Sequence, residues 1–270
     1  MPELPEVETS RRGIEPHIID TTVTRVVIRN RRLRWPISRA VDRNLVGQTI
    51  TSVGRRAKYL LINTSQGTAI LHLGMSGSVF IVDYNTPAGV HDHVDIEFDS
   101  GKVLRFRDPR RFGSLHWSTD PLQHKLLTDL GPEPLTDDFC GEFLWKMSRR
   151  RRVSIKQFIM NARVVVGVGN IYASEALYLA GIHPRRAAGR VALQRYEWLV
   201  KVIKEVLAAA IKAGGTTLRD FYGGDGEAGY FQQQLEVYGR DGDPCRRCNS
   251  PITIIVQGQR STYYCKQCQT

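Results

Sequence analysis

The sequence predicts an α+β chain of several domains: an N-terminal helix plus β-sandwich, then a helical domain, then a C-terminal β-hairpin stapled by cysteines. Three observations carry this expectation. Alternating and β-branched runs fill Thr22 to Trp117, the apolar period changes to about 3.6 beyond Gly131-Pro132-Glu133-Pro134, and four of the five cysteines lie close to the C-terminus. A length of 270 residues also exceeds one average domain of roughly 150.

The first helix starts near Pro5, a first-turn proline followed by acids, and is expected to end before Pro16. Strand candidates follow at Val23 to Ile28, Tyr59 to Ile62, Ala69 to Leu73, Val79 to Val82, Val94 to Phe98 and Val103 to Phe106, with turn chemistry such as Asp99-Ser100-Gly101 between them. That spacing predicts a sandwich or barrel-like double sheet. The Gly-Pro-Glu-Pro segment then interrupts regular structure. It sets expected boundaries of 1–130 for the sandwich, 131–138 for a linker, 139–240 for the helical domain and 241–270 for the hairpin.

In the helical part, Leu193, Tyr196, Leu199, Val202, Ile203, Val206, Leu207, Ala210 and Ile211 form one stripe, and Gly214-Gly215 mark its stop. Phe139 to Met147, Ile155 to Ala162 and Ile171 to Ala180 are shorter helical candidates. Gly223 to Gly229 reads as a mobile loop or as a tight surface turn.

Charge narrows the function. Lys and Arg number 38 against 27 Asp and Glu, a formal net charge of +11, with 41% hydrophobic residues. This composition excludes global disorder, and the surplus of cations points to a polyanion, because each neutralised phosphate releases counterions. The basic runs Arg31-Arg32-Leu33-Arg34, Arg55-Arg56-Ala57-Lys58, Arg110-Arg111 and Arg149 to Arg152 are dispersed, which suits a nucleic-acid groove better than a membrane-binding helix. No apolar run is long enough to span a bilayer, and the acidic start lacks signal-peptide character. A soluble, intracellular protein is expected.

The cysteines give the sharpest local signal. Cys245-x2-Cys248 and Cys265-x2-Cys268 have the knuckle spacing that places four thiolates around one structural Zn²⁺. Ile252 to Val256 and Ser261 to Tyr264 read as two strands, making Gln257-Gly258-Gln259-Arg260 the hairpin tip and Arg260 a presented cation. The remaining Cys140 is expected to be a small buried hydrophobe.

Against the overall sign, Met1-Pro2-Glu3-Leu4-Pro5-Glu6-Val7-Glu8 carries three carboxylates. Helix-dipole complementation accounts for Glu6 and Glu8 and less well for Glu3. Removal of Met1 would leave Pro2 as a secondary α-amine, which titrates near 8 and is far more nucleophilic at neutral pH than lysine. Attack on a sugar C1′ by such an amine gives an iminium that cannot lose an N–H proton and so stays cationic. It acidifies C2′ and permits phosphate elimination, with Glu3 adjacent to shuttle protons.

In order along the chain stand Pro2-Glu3-Leu4-Pro5-Glu6-Val7-Glu8, Arg56-Ala57-Lys58-Tyr59-Leu60, His72-Leu73-Gly74-Met75-Ser76-Gly77, His91-Asp92-His93, Asp108-Pro109-Arg110-Arg111-Phe112-Gly113, Leu130 to Pro134, Gly167 to Glu175 and the cysteine hairpin. With these motifs the sequence resembles the bacterial formamidopyrimidine-DNA glycosylases over essentially its whole length. The resemblance implies a β-sandwich with a preceding helix, a helix-two-turn-helix domain and a zinc finger. It also implies base excision repair: removal of oxidised purines (8-oxoguanine, formamidopyrimidines) from damaged double-stranded DNA, with abasic-site lyase action.

By the same resemblance Pro2 is the Schiff-base nucleophile, Glu3 the general acid or base, Lys58 the proton donor of β-elimination and Arg260 the group associated with δ-elimination. Read alone, Lys58 is an ordinary exposed strand residue and Asn170 a helix N-cap; the family match gives Lys58 its catalytic role and Asn170 a phosphate contact. Met75, Arg110 and Phe112 would fill the gap left by an extruded base, and His91, Arg151 and Lys156 would touch phosphates. His91 and His93, two apart in a strand, should share a face without enough ligands for a second metal. No dinucleotide fingerprint is present, so no nucleotide cofactor is expected. A cytoplasmic, nucleoid-associated monomer is implied. Two features depart from the pattern: Ser154-Ile155-Lys156-Gln157 lacks an expected proline after the lysine, and Gly223 to Gly229 is a loose counterpart of the base-capping loop. The nearest rival inside the superfamily is endonuclease VIII; the alternatives from other classes are a non-enzymatic zinc-ribbon DNA binder and an RNA-binding protein.

Overall fold

The structure, a computed structural model, describes residues 2–215 and 235–270. The Gly223 to Gly229 loop lies outside the described residues. The chain separates into two compact units, one built on the residues up to Thr128 and one that starts with Asp129–Ala213 and takes up the chain again to Thr270. Among the described residues, no helix is long and apolar enough to cross a membrane.

The first unit is a two-sheet sandwich with a helix packed on it. Helix α1 (Leu4–Ile18) is followed by β1 (Val23–Ile28), α2 (Arg39–Leu45), β2 (Ile50–Arg56), β3 (Tyr59–Thr64), β4 (Gly67–His72), β5 (Ser78–Asp83), β6 (Asp92–Phe98), β7 (Lys102–Arg107) and β8 (Ser114–Ser118). The sheets are antiparallel, ordered β1-β6-β7-β5 and β2-β3-β4-β8. Alternation aims Leu60, Ile62, Ala69, Leu71 and Leu115 from one sheet at Val79, Val94, Ile96, Leu104 and Phe106 from the other, and Val7, Ile14 and Ile18 of α1 join the same core. Each buried Leu, Ile or Val contributes about 1.5–3 kcal/mol of transfer free energy.

Four elements of this unit differ from the sequence reading, among them β8, which is not among the strand candidates. Pro16 lies inside α1, because fully buried Ile14 and Ile18 hold the last turn against the core and outweigh the lost N–H. Strand β2 offers few apolar residues and contains a glycine, and it is recruited by pairing with β3. Helix α2 buries only Val41 and Leu45, too little for a periodic signal.

The outer face of the first sheet is charged yet buried. Asp95 accepts two bonds from Arg105, each 2.9 Å, and one from Arg29 at 2.6 Å; Asp92 accepts from Arg107 at 2.6 Å and from the Gly89 amide at 2.7 Å. Arg105 also donates to the Thr86 and Pro87 carbonyls, strapping that segment over the strands.

The second unit contains α3 (Gly141–Ser148), α4 (Ile155–Ile159), α5 (Asn170–Leu179) and α6 (Leu193–Lys212), then β9 (Thr253–Gln257) and β10 (Arg260–Tyr264). The predicted stripe of α6 is buried at Tyr196, Leu199, Val202, Ile203, Leu207 and Ala210. Helix α3 approaches α6 closely enough that a Cβ on Gly141 would sit 2.6 Å from the Glu197 Cα, which demands glycine there. Helix α4 stops before Ala162 because the Asn161 side chain captures the Arg163 amide at 3.0 Å, a local bond that competes with the helix ladder. Cys140, expected to be buried, is exposed at the N-cap of α3. Its chain position places it outside the apolar face that Leu144 and Phe139 fill.

Candidate active site and metal centre

Pro2 and Glu3 are both buried, at the start of α1. A capping box holds this segment: the Glu3 amide donates to Glu6 Oε2 at 2.7 Å, and the Glu3 carboxylate accepts from the Glu6 amide. Glu8 is occupied differently, receiving Arg11, Arg12 at 2.9 Å and Arg55 at 3.1 Å. Burial by itself would raise the Glu8 carboxyl, but these guanidinium bonds outweigh it and hold it below the usual carboxylate value. The acids of the N-terminus thus divide into two helix-capping residues beside Pro2 and one arginine hub.

Lys58 sits in the two-residue turn between β2 and β3, where Arg56 pairs with Tyr59 and Ala57 adopts φ 55°. It is a half-buried turn residue, where the residue-level reading had an exposed strand position. The pairing of Tyr59 with His72 brings their rings to 4.8 Å. His72 accepts the Gly74 amide on Nδ1 at 3.0 Å. Burial first, then the charges of Lys58 and Arg34, depress His72 to about 4, so it is neutral at physiological pH and its Nε2 carries the proton. His72 was not singled out from sequence; its place beside Lys58 follows from strand register alone.

Met75, Arg110 and Phe112 are exposed on two loops of this unit, with the Arg110 guanidinium 4.9 Å above the Phe112 ring. Large apolar residues held at the surface with a cation stacked on one of them are not core residues. His91 is exposed whereas His93 is buried with Nε2 2.9 Å from the Asp108 carbonyl. The two histidines therefore do not share an environment, contrary to the strand-face expectation, because His91 lies in the turn that precedes β6 and the pairing of β6 is irregular between Asp92 and Val94.

In the second unit Arg151 is exposed. Lys156, expected at a phosphate, is 1% exposed, and its ammonium donates to Asn170 Oδ1 at 2.7 Å, Thr262 Oγ1 at 2.8 Å and the Ser261 carbonyl at 3.2 Å. Asn170 Nδ2 donates to the same Ser261 carbonyl at 3.0 Å and to the Tyr238 hydroxyl at 3.3 Å. Lys156 and Asn170 thereby lock the start of α5 to β10. Ser154 caps α4 by accepting the Gln157 amide, a bond that a proline at 157 would forfeit. Beside them opens a pocket of about 210 Å³ lined by Lys156, Gln157, Asn161, Gln257, Gly258 and Arg260. Glu175, which the sequence offered only as the end of the Gly167 to Glu175 motif and with no role, accepts the amides of Glu236, Val237 and Tyr238 at 2.8–3.0 Å; burial pushes its carboxyl up, and those donors offset this only in part.

Strands β9 and β10 pair from Gln257–Arg260 inward, so the hairpin tip is the two-residue turn Gly258-Gln259. Both residues have positive φ, 53° and 61°, as a tight primed turn requires. The exposed Arg260 is the first residue after it. The sulfurs of Cys245, Cys248, Cys265 and Cys268 lie within 4.8 Å of one another. Separations of 3.5 Å (Cys248–Cys265) and 3.8 Å (Cys245–Cys268) are far from a disulfide at about 2.05 Å. They match the edge of a tetrahedron with Zn–S bonds of about 2.3 Å, about 3.8 Å. The donor set fits one structural zinc, with the Tyr178 hydroxyl 3.2 Å from Cys245 Sγ supporting it from α5.

Comparison with known proteins covers the whole chain. Residues 1–115 match the formamidopyrimidine-DNA glycosylase N-terminal domain, 130–222 the formamidopyrimidine-DNA glycosylase H2TH domain, and 242–270 a zinc finger found in FPG and IleRS. A formamidopyrimidine-DNA glycosylase of Nitrosococcus oceani is 58% identical over 270 residues, covering 100% of both chains. One of Pseudomonas entomophila is 60% identical over 269 residues, again with full coverage. Among solved structures, Lactococcus lactis Fpg in complex with abasic-site DNA superposes with a TM-score of 0.91 at 32% identity, covering 99% of each chain. MutM (Fpg) from Thermus thermophilus gives 0.89 at 34% identity, covering 99% of this chain and 98% of that one.

Proposed function

The chain belongs to the formamidopyrimidine-DNA glycosylase family, and from that premise we propose that it excises oxidised purines from duplex DNA through a Schiff base at Pro2 and then cleaves the strand by β,δ-elimination. The observation that carries this reading is the buried Pro2–Glu3 pair at the N-terminus of α1, with Glu8 withdrawn into an arginine hub.

Once Met1 is removed, the Pro2 lone pair attacks C1′ as the glycosidic bond breaks and the purine departs with its electron pair. Glu3 takes the proton that Pro2 sheds on attack and returns it to O4′, so the C1′–O4′ bond opens and the iminium forms. The cationic iminium draws electrons from C2′. Loss of a C2′ proton expels the phosphate at C3′, and a second elimination expels the phosphate at C5′. Lys58, held in its turn beside neutral His72, serves the first elimination as proton donor. Arg260 acts in the second by clamping a phosphate, because a guanidinium with a pKa above about 12 is a poor acid. The zinc that the four thiolates would hold is structural and fixes the hairpin that presents Arg260.

DNA is held by contributions from each unit: His91, Arg151 and Asn170 at phosphates, and Met75, Arg110 and Phe112 filling the space of the extruded base, with Arg110 facing the estranged cytosine. Lys156 serves Asn170 and β10 from inside the unit. The enzyme would work as a single chain on damaged duplex in the bacterial cytoplasm, associated with the nucleoid.

Borohydride trapping on an oxidised-purine duplex tests the mechanism. A covalent adduct at Pro2 is the expected result; no adduct, or one mapped to a lysine, would refute it. A purely DNA-binding zinc protein would give no adduct and bind equally well with Glu3→Gln.

A further inference from the structure

The β4–β5 and β7–β8 loops, which carry Met75 on one side and Arg110 and Phe112 on the other, are joined by one fully buried carboxylate. Asp108 is 0% exposed. Its Oδ1 accepts the Ser76 hydroxyl at 3.0 Å, 32 residues away in sequence, and its Oδ2 accepts the Gly113 amide at 2.7 Å. The Ser76 oxygen also accepts the Arg110 amide at 3.3 Å. The Asp108 backbone continues the junction: its amide donates to the His91 carbonyl at 3.0 Å, and its own carbonyl faces His93 Nε2 at 2.9 Å and takes the Arg111 amide at 3.1 Å. Where the loops meet, Gly74 has φ 73° and a Cβ there would lie 2.4 Å from the Gly113 nitrogen, so the two backbones are in direct contact.

We propose that Asp108 is a positioning residue that makes the Met75 loop and the Arg110–Phe112 loop one rigid body, so that the three side chains enter the duplex together and in register. The inference rests on the reading, given above, that these side chains fill the extruded-base space. A desolvated carboxylate is costly unless its oxygens are hydrogen-bonded, so the arrangement is held tightly by its own donors. Side chains that must replace one base in a stack tolerate little displacement, since misplacement of about 1 Å costs on the order of a hundredfold in rate. Ser76 transmits the constraint, because its single oxygen links the Asp108 carboxylate to the Arg110 backbone.

Variants Ser76→Ala, Ser76→Thr and Asp108→Asn of the full-length, zinc-loaded protein test it. Three readouts are compared: insertion, followed by the fluorescence of 2-aminopurine placed next to the lesion; single-turnover excision opposite cytosine and opposite adenine; and cleavage at a preformed abasic site. Ser76→Ala should slow insertion and excision by about tenfold more than abasic-site cleavage, the loss expected for a charge-assisted bond, and narrow the cytosine-over-adenine preference. Ser76→Thr, which keeps the hydroxyl, should restore both. Unchanged insertion and preference in Ser76→Ala overturn the proposal, as does a proportional fall in all three readouts, which would mark a general loss of stability. Should Asp108→Asn fail to fold, the serine pair decides. A wild-type protein that excises the lesion with no insertion step would instead remove the underlying reading of Met75, Arg110 and Phe112.

Discussion

Arg55 Nε lies 3.1 Å from Glu8 Oε2, and the same guanidinium donates to the Ala57 carbonyl at 2.9 Å. Helix α1, which directly follows the Pro2–Glu3 pair, is thereby tied to the turn that carries Lys58, across 47 residues of sequence. Arg55→Ala should leave Pro2 adduct formation nearly intact and slow β-elimination by about tenfold, as loss of a positioning bond does. Comparing trapping yield with strand-cleavage rate checks this; equal losses in both would contradict it.

Acid should unfold the first unit through defined carboxylates. Burial would raise Asp92 and Asp95, but bonds from Arg107 to Asp92 and from Arg105 and Arg29 to Asp95 overcome it, and both lie below their ordinary value. The folded state therefore binds fewer protons than the unfolded chain. The stabilisation is complete above the unfolded carboxyl pKa of about 4 and is lost as pH falls through the lower folded values. Denaturant unfolding near neutral pH and below about pH 4 should show this loss, and Asp95→Asn should be destabilised near neutrality with a flatter acid limb.

Zinc removal should unfold the hairpin selectively. The small cluster of Tyr178, Val237, Cys245, Ile252 and Cys265 cannot replace a metal contributing on the order of 10 kcal/mol. Chelation is expected to release one zinc per chain and abolish DNA binding while the circular dichroism of the remaining elements persists. Undiminished binding by metal-free protein would refute the assigned role.

Lys156 and Arg151 should separate in salt dependence. Arg151→Ala removes an exposed cation and should reduce the slope of log binding constant against log salt by about 0.9, the value for one phosphate contact. Lys156→Met should weaken binding through Asn170 and β10 with the slope unchanged, and should destabilise the fold by about 3 kcal/mol, because Asn170, Ser261 and Thr262 lose their shared donor. Salt titrations of both variants decide; a reduced slope in Lys156→Met would restore the direct phosphate contact.

The order of elements, the stripe of α6, the strand-rich first part and the four thiolates are legible in the sequence because each rests on local periodicity or short spacing, and so is the adjacency of Pro2 and Glu3. What side chains at the site touch is not local. Lys156 reads as a surface cation among arginines, yet its partners Ser261 and Thr262 are 105 and 106 residues away. His72 becomes the neutral neighbour of Lys58 only through the register of β3 on β4, and Asp108 becomes a junction only when two loops far apart in sequence converge. Residue order specifies which chemical groups exist and which segments carry them; packing in three dimensions sets which charges are spent internally and which face outward. Burial and hydrogen-bond partnership arise from contacts between distant segments, and these, more than residue type, set what a lysine, a histidine or an aspartate can do.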